Sequence, residues 1–188
     1  LIDTLLGKGA RCYVIMPKKG ALVEELWNRE VRYSIIPFKN WVSNTSSKWK
    51  VVSRLSFNVL ASLRIAERAR AWQADILYTN SSVTPVGALA ALLLKKPHIW
   101  HIREFGEEDY GISFDWGKRL SMRLVDRLSF RVIVVSESLK QKYLQYVPPE
   151  KLKVVYNPVR VIYERADDTG LYYGLQTTRP ILVIVGLL

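Results

Sequence analysis

The chain has 188 residues, 49% of them apolar, enough to bury one domain and a little more, so intrinsic disorder is excluded. Its one cysteine, Cys12, has no partner for an internal disulfide, and no CxxC or paired Cys/His spacing points to a structural metal, which leaves a reducing compartment and no zinc or redox role. Lys and Arg outnumber Asp and Glu by 28 to 17, and the net charge of +11 predicts attraction to anions, whether membrane phosphate, sugar phosphate or nucleic acid.

The chain opens on the last turns of an amphipathic helix closed by Gly7 and Gly9, so an element ahead of it is expected. RCYVIMP (11–17) reads as a strand. ALVEELWNRE (21–30) reads as a helix with Leu22, Leu26 and Trp27 on its inner face, and VRYSIIPF (31–38) as the next strand. After polar NWVSNTSS, a helix is expected from about Lys48 to Trp72, where Val52, Leu55, Val59, Leu63 and Ala66 recur at the threes and fours of a core-facing stripe. Strand DILYT (75–79), helix PVGALAALLL (85–94) and strand HIWHI (98–102) follow. The uncharged run Ile76 to Leu94 includes Thr79, Asn80, Ser81, Ser82, Thr84 and Pro85, so it reads as strand, turn and helix, and no transmembrane helix is predicted. The second half repeats the rule, with a helix from about Trp116 to Phe130, strand RVIVVS (131–136), helix ESLKQKYLQYV (137–147) and strand KLKVVYNP (151–158). A last strand lies in RPILVIVGLL (179–188). Greasy strands alternating with helices predict an α/β fold, a doubly wound and mostly parallel sheet.

In such sheets ligands sit at the carboxyl ends of the strands. Those ends are PKKG (17–20), TNSS (79–82), HIREFGEEDYG (101–111), SES (136–138) and YNPV (156–159), all polar, small or charged. The strand 98–102 carries two histidines, read as sharing one face. His98, at the strand's start, reads as structural. His101 and Arg103 leave the strand two residues apart, hence on the same face, with Glu104 beside them. They suit a sugar hydroxyl, a phosphate or a proton transfer; equally, His101 is a bonded strand-end histidine and Arg103 with Glu104 a solvated pair. GEED (106–109) reads as an acidic loop. Ser136 fits a helix N-cap at least as well as a nucleophile, since no GxSxG surrounds it. Gly20, after two lysines, allows an anion or sugar close to a helix N-terminus, yet neither GxxxxGK[ST] nor GxGxxG occurs. Asn157 before Pro158 reads as a hinge. From Lys39 to Trp72, Trp41, Trp49, Phe57 and Trp72 interleave with basic residues; a helix lying on an anionic bilayer would show this pattern, and so would an ordinary helix with a basic polar face. Nucleic-acid binding is disfavoured, because no stacking motif or recognition helix accompanies the charge.

Taken in order, VIMPKKGALVEEL, ADILYTNSSVTPVGALAALLLKKPHIWHIREF, VIVVSESLKQKYLQ, KLKVVYNPV and PILVIVGLL resemble the group 1 glycosyltransferases, the retaining enzymes of glycosyltransferase family four. The resemblance implies the N-terminal, acceptor-side half of a GT-B fold, incomplete at both ends. Residues 1–160 would be a Rossmann-like domain lacking its first, central strand, which predicts poor folding alone. Residues 161–180 would be a linker, and 181–188 the first strand of a truncated donor domain. It implies a nucleoside diphosphate sugar as donor, no cofactor and no metal, a glycan or lipid-linked acceptor, and a cytoplasmic location with peripheral contact at an anionic membrane. His101 would lie near the transferred sugar, Arg103 and Glu104 would line the cleft, and Gly20, Asn80 and Ser136 would form its rim. The 188 residues alone are expected to be inactive. The alternatives are a non-catalytic glycan- or partner-binding remnant and a GT-B nucleotide-sugar epimerase.

Overall fold

Runs of β-branched residues and stretches of helical period alternate along the chain, and in the computed structural model those among the described residues become strands and helices in turn. It describes residues 1–43, 47–104, 111 and 113–157, which fall within the first of two compact units, Leu1–Asn157. The acidic segment 106–109, the expected linker and the expected last strand lie outside the described residues.

Helix α1 (Ile2–Leu6) ends at the glycine pair, where Gly9 takes φ 80°, a conformation that suits a residue without a Cβ. Strand β1 (Tyr13–Met16), helix α2 (Leu22–Asn28) and strand β2 (Arg32–Ile35) follow, then the two-residue β3 (Val42–Ser43) and the long α3 (Lys48–Ala71). Next come β4 (Leu77–Thr79), α4 (Val86–Leu94), β5 (His98–Ile102), β6 (Ser113–Phe114) and α5 (Lys118–Leu128). Strand β7 (Arg131–Val134), helix α6 (Glu137–Tyr143), a 3-10 turn (Pro149–Lys151) and β8 (Leu152–Val154) complete the described chain.

The parallel ladder has the order β4-β5-β7-β8, and β1 pairs with β2 in a separate parallel pair. What unites them is a shared core: Ile15 of β1 and Ile36 and Phe38 beyond β2 meet Leu77 of β4, Ile65, Ala66 and Ala69 of α3, and Val86, Ala90 and Ala91 of α4. A second core gathers Trp100 and Ile102 of β5, Val132 and Val134 of β7, and Met122, Val125, Leu139 and Tyr143 of the helices. Trp41 stacks on Trp100 at 5.6 Å between ring centres, with Phe114 and Trp116 edge-on.

Three features differ from the expectations. The antiparallel pair of β3 with β6 was too short to show a period in the sequence. In α2 only Leu26 is buried, while Leu22 and Trp27 face solvent. In α3 four of the five residues of the expected stripe are turned outward: Val52, Leu55, Val59 and Leu63 are exposed, while Ala66 is buried as expected and Asn58, Ala61, Ser62, Ile65 and Ala69 face inward with it. The cause is the partner helix. α3 packs along α4, whose inner residues are mostly alanines, and small residues on both sides let the two backbones approach closely. The buried polar groups on that face are satisfied, because Asn58 Oδ1 accepts from Lys39 N and Asn58 Nδ2 donates to Lys39 O, each at 2.9 Å, and Ser62 Oγ donates to Asn58 O at 2.7 Å.

Beneath α4, Thr79 Oγ1 and His98 Nε2 form a buried hydrogen bond of 2.8 Å. Gly87 makes room for it, since a Cβ there would meet Thr79 Oγ1 at 2.2 Å. His98 is 1% exposed, and burial pushes its pKa down to about 4. Below about pH 6.5 the unfolded chain binds a proton that the folded chain refuses, so this histidine's contribution is full above that pH and is lost as pH falls toward 4, by roughly 3 kcal/mol. Urea midpoints should therefore drop across that interval, and the slope should flatten in His98→Asn. A variant profile parallel to the wild type would remove His98 as the cause.

Candidate functional site

On a strand, residues three apart face opposite ways, and the two histidines of β5 do so. His98 bonds Thr79, whereas His101 bonds the preceding residue of β4, Tyr78. The register places Tyr78 opposite Ile99, so His101 lies two residues further along the same face. Tyr78 Oη is 2.5 Å from His101 Nδ1, and the rings meet edge-on with centres 5.9 Å apart.

Burial raises the Tyr78 pKa to about 12 despite the opposing pull of Arg103, so its hydroxyl keeps its proton, and we assign it as the donor to Nδ1. Burial, then Arg103, lowers the His101 pKa, with Glu104 acting the other way, and the ring is neutral at pH 7. A neutral imidazole accepting at Nδ1 carries its hydrogen on Nε2. That nitrogen is buried and has no hydrogen-bond partner. The strand end thus holds an oriented, unengaged N–H donor. Because the chain has only two histidines, nitrogen-15 multiple-bond spectra resolve both rings. They should show His101 as the Nε2–H tautomer, with Tyr78→Phe mixing the two tautomers; an unchanged pattern in the variant would count against this assignment.

Arg103 and Glu104 do not pair with each other. Arg103 Nη2 donates to Asn157 Oδ1 at 3.1 Å, linking the loop after β5 to the exit from β8. Glu104 Oε1 accepts from Ser81 Oγ, Ser82 N and Ser82 Oγ at 2.8, 2.7 and 2.9 Å, fastening that loop to the one after β4. Trp100 Nε1 donates to Ser81 O at 2.7 Å and Trp41 Nε1 to Ser82 O at 2.9 Å, so the aromatic core holds the same loop from beneath. Serine side chains fit here because they donate locally without bulk.

The strand ends of the four-stranded sheet therefore bring together His101, Arg103 and Glu104, with the exposed Asn80 at the head of the serine loop. Ser136 lies two residues beyond Val134, the register partner of Ile102, and caps α6, its Oγ accepting from Leu139 N at 3.1 Å. Gly20 sits exposed between β1 and α2, in the part of the chain built on the separate β1–β2 pair. Among the described residues no group of three or more His, Cys, Asp or Glu is placed to hold a metal ion. The sequence reading missed Tyr78, Ser81, Ser82 and the polar role of Asn157. Only the strand register reveals Tyr78, since its neighbour in space is twenty-three positions away.

Comparison with known proteins adds two findings. A family described as Glycosyltransferase Family 4 matches residues 1–161. Among solved structures, a crystal structure of MurG from Acinetobacter baumannii shares the fold, with a TM-score of 0.51 at 15% identity over 88% of this chain and 41% of that one, so the chain spans less than half the length of that protein. No curated protein matches the chain significantly.

Proposed function

The chain belongs to glycosyltransferase family 4, and from that premise we propose that residues 1–160 form the acceptor-side domain of a retaining enzyme of the hexosyltransferase type, moving a sugar from a nucleoside diphosphate sugar to a glycan or lipid-linked acceptor. The observation that carries the reading is the neutral His101 at the end of β5, held by Tyr78 with Nε2–H unengaged.

In the proposed reaction the bond between the anomeric carbon and the diphosphate oxygen breaks while the acceptor oxygen bonds the same carbon from the same face. The acceptor's proton passes to the leaving diphosphate. Positive charge grows on the sugar in between, and a fixed donor from His101 to a sugar hydroxyl keeps that ring placed without adding a competing cation, at no cost of reorganisation. Arg103, exposed beside it, suits a phosphate or carboxylate oxygen. Glu104 shapes the cleft floor through the serines. Gly20, Asn80 and Ser136 are proposed as rim contacts, as the family resemblance implies. The diphosphate itself is assigned to a second, donor-binding domain, and the setting to the cytoplasmic face of a membrane.

The experiment is incorporation of label from nucleotide sugars into glycan and lipid fractions. The 188 residues alone should give none above background, and a polypeptide that also carries a donor-binding domain should give product with the anomeric configuration of the donor. Label returned only as an epimerised nucleotide sugar would point to an epimerase, and no turnover with glycan still bound would point to a binding module.

A further inference from the structure

We infer that a hollow at the amino end of β5, at the other end of that strand from His101, binds a small phosphorylated organic molecule. His98 opens β5 three residues, about 10 Å, before His101. It lines a hollow of about 340 Å³ between the last turns of α4 and α5, a volume in the range of small-molecule sites and larger than a bare ion needs. Lys95 and Lys96, just after α4, and Arg127, in the last turn of α5, are exposed and line it too. No carboxylate does so among the described residues. Neither Lys95 nor Arg127 has an ion-pair partner among them, and Lys96 Nζ lies 3.9 Å from Asp75 Oδ1, on a side chain 92% exposed. Cations at helix ends ordinarily complement the helix dipole, but each end carries only about half a negative charge, so three cations against two helix ends leave the hollow positive.

Two buried groups add what a solvated basic patch lacks. His98 and Ser129, 1% and 4% exposed, both line the hollow, and His98 Nδ1 and Ser129 Oγ are buried without a hydrogen-bond partner. A buried polar atom left unpaired is costly, so a ligand that engages these two recovers that cost. Thr79 already holds His98 Nε2, which fixes the ring and leaves Nδ1 as its open position. The Thr79 hydroxyl both donates and accepts, so that bond is kept with the ring hydrogen on either nitrogen; an anionic oxygen at Nδ1 places the hydrogen there. Three cations and two short-range donors match a phosphate monoester, with its two charges and three acceptor oxygens, better than a single carboxylate. The walls select an organic body beside the phosphate, since Leu92, Leu128 and Phe130 line the same hollow, and Leu92 and Phe130 are 60% and 58% exposed. Binding here needs neither sugar donor nor acceptor and does not rest on the proposed function.

The test is titration of the 188-residue chain at pH 7 with phenyl phosphate, with inorganic phosphate, and with sodium chloride at matched ionic strength, read by the nitrogen-15 spectra of the two histidine rings. Phenyl phosphate should shift the His98 ring saturably toward the Nδ1–H form, bind about tenfold more tightly than inorganic phosphate, and leave the His101 pattern in place. Sodium chloride should not reproduce the shift. Lys95→Gln with Arg127→Gln should weaken binding about tenfold or more without moving thermal unfolding, since both side chains are exposed. Ser129→Ala, which removes an unpaired hydroxyl, should weaken binding several-fold without lowering the melting temperature. Absence of a saturable His98 shift, a shift confined to His101, inorganic phosphate binding as tightly as phenyl phosphate, or the double variant binding as tightly as the wild type would each overturn the proposal.

Discussion

Replacing Asp115 with alanine should leave the protein barely folded, at a cost of about 3–5 kcal/mol. The Asp115 side chain is only 4% exposed and that of Arg54 16%. Arg54 Nε donates to Asp115 Oδ2 at 2.7 Å and Nη2 to Oδ1, while Nη2 also donates to Ser43 Oγ at 3.1 Å. The same aspartate's backbone N donates to Trp41 O at 2.8 Å. One forked pair thereby ties α3 to β3 and to the turn after β6, across separations of 11 and 61 residues. A guanidinium stays protonated at any ordinary pH with or without a partner, so Arg54 cannot escape the loss of Asp115 by giving up a proton. The guanidinium would be left without its partner and with only 16% of its side chain open to water. Set against the 5–15 kcal/mol that holds a typical domain together, the loss is a large share. Urea unfolding should show it as a lower midpoint at unchanged slope. Arg54→Met combined with Asp115→Leu should recover most of the loss, because removing both charges removes the burden of burying either. A shift below about 1 kcal/mol in Asp115→Ala would show that water already reaches the pair.

His101→Ala, in a polypeptide that also carries the donor-binding domain, should lower kcat for sugar transfer by about 10²–10³ with little change in acceptor KM. A donor that holds the sugar in its reacting geometry contributes to the transition state more than to the bound substrates. His101→Gln, which keeps an N–H donor near the same place, should restore part of the rate. The variant also removes the partner of the Tyr78 hydroxyl, which alone costs about 1–3 kcal/mol of stability, so melting must be recorded beside turnover. Full activity in His101→Ala would end the assignment of this residue.

The order and type of the principal elements were legible because apolar runs and turn residues punctuate the chain plainly, and each of the longer strands and helices expected before residue 158 has its counterpart within the described residues. Orientation was not. In α3, inward and outward rows are both spaced at threes and fours, and only the alanines of α4 decide that Ile65 and Ala69 go in while Val59 and Leu63 stay out. His101, Arg103 and Glu104 could be singled out from their place at a strand end. Their partners could not, since Tyr78, Ser81, Ser82 and Asn157 reach them through register and loop closure rather than through proximity in the chain. Of the two readings of Arg103 and Glu104, the solvated pair failed for the same reason, as each side chain has its partner across the fold.

The separation of the β1–β2 pair from the four-stranded ladder has a mechanical meaning. Within the described residues its four residue pairs are joined to the rest through packed side chains such as Ile15 and Ile36, and no ladder carries backbone hydrogen bonds across to β4. Side-chain packing resists separation but has little preferred direction, whereas a ladder of hydrogen bonds locks register. Two strands are also marginal as a sheet of their own. The boundary therefore acts as a seam: the N-terminal pair can yield, and surrender its amide protons to solvent, at a free energy below that of global unfolding, while the floor beneath His101 stays locked through β4, β5, β7 and β8.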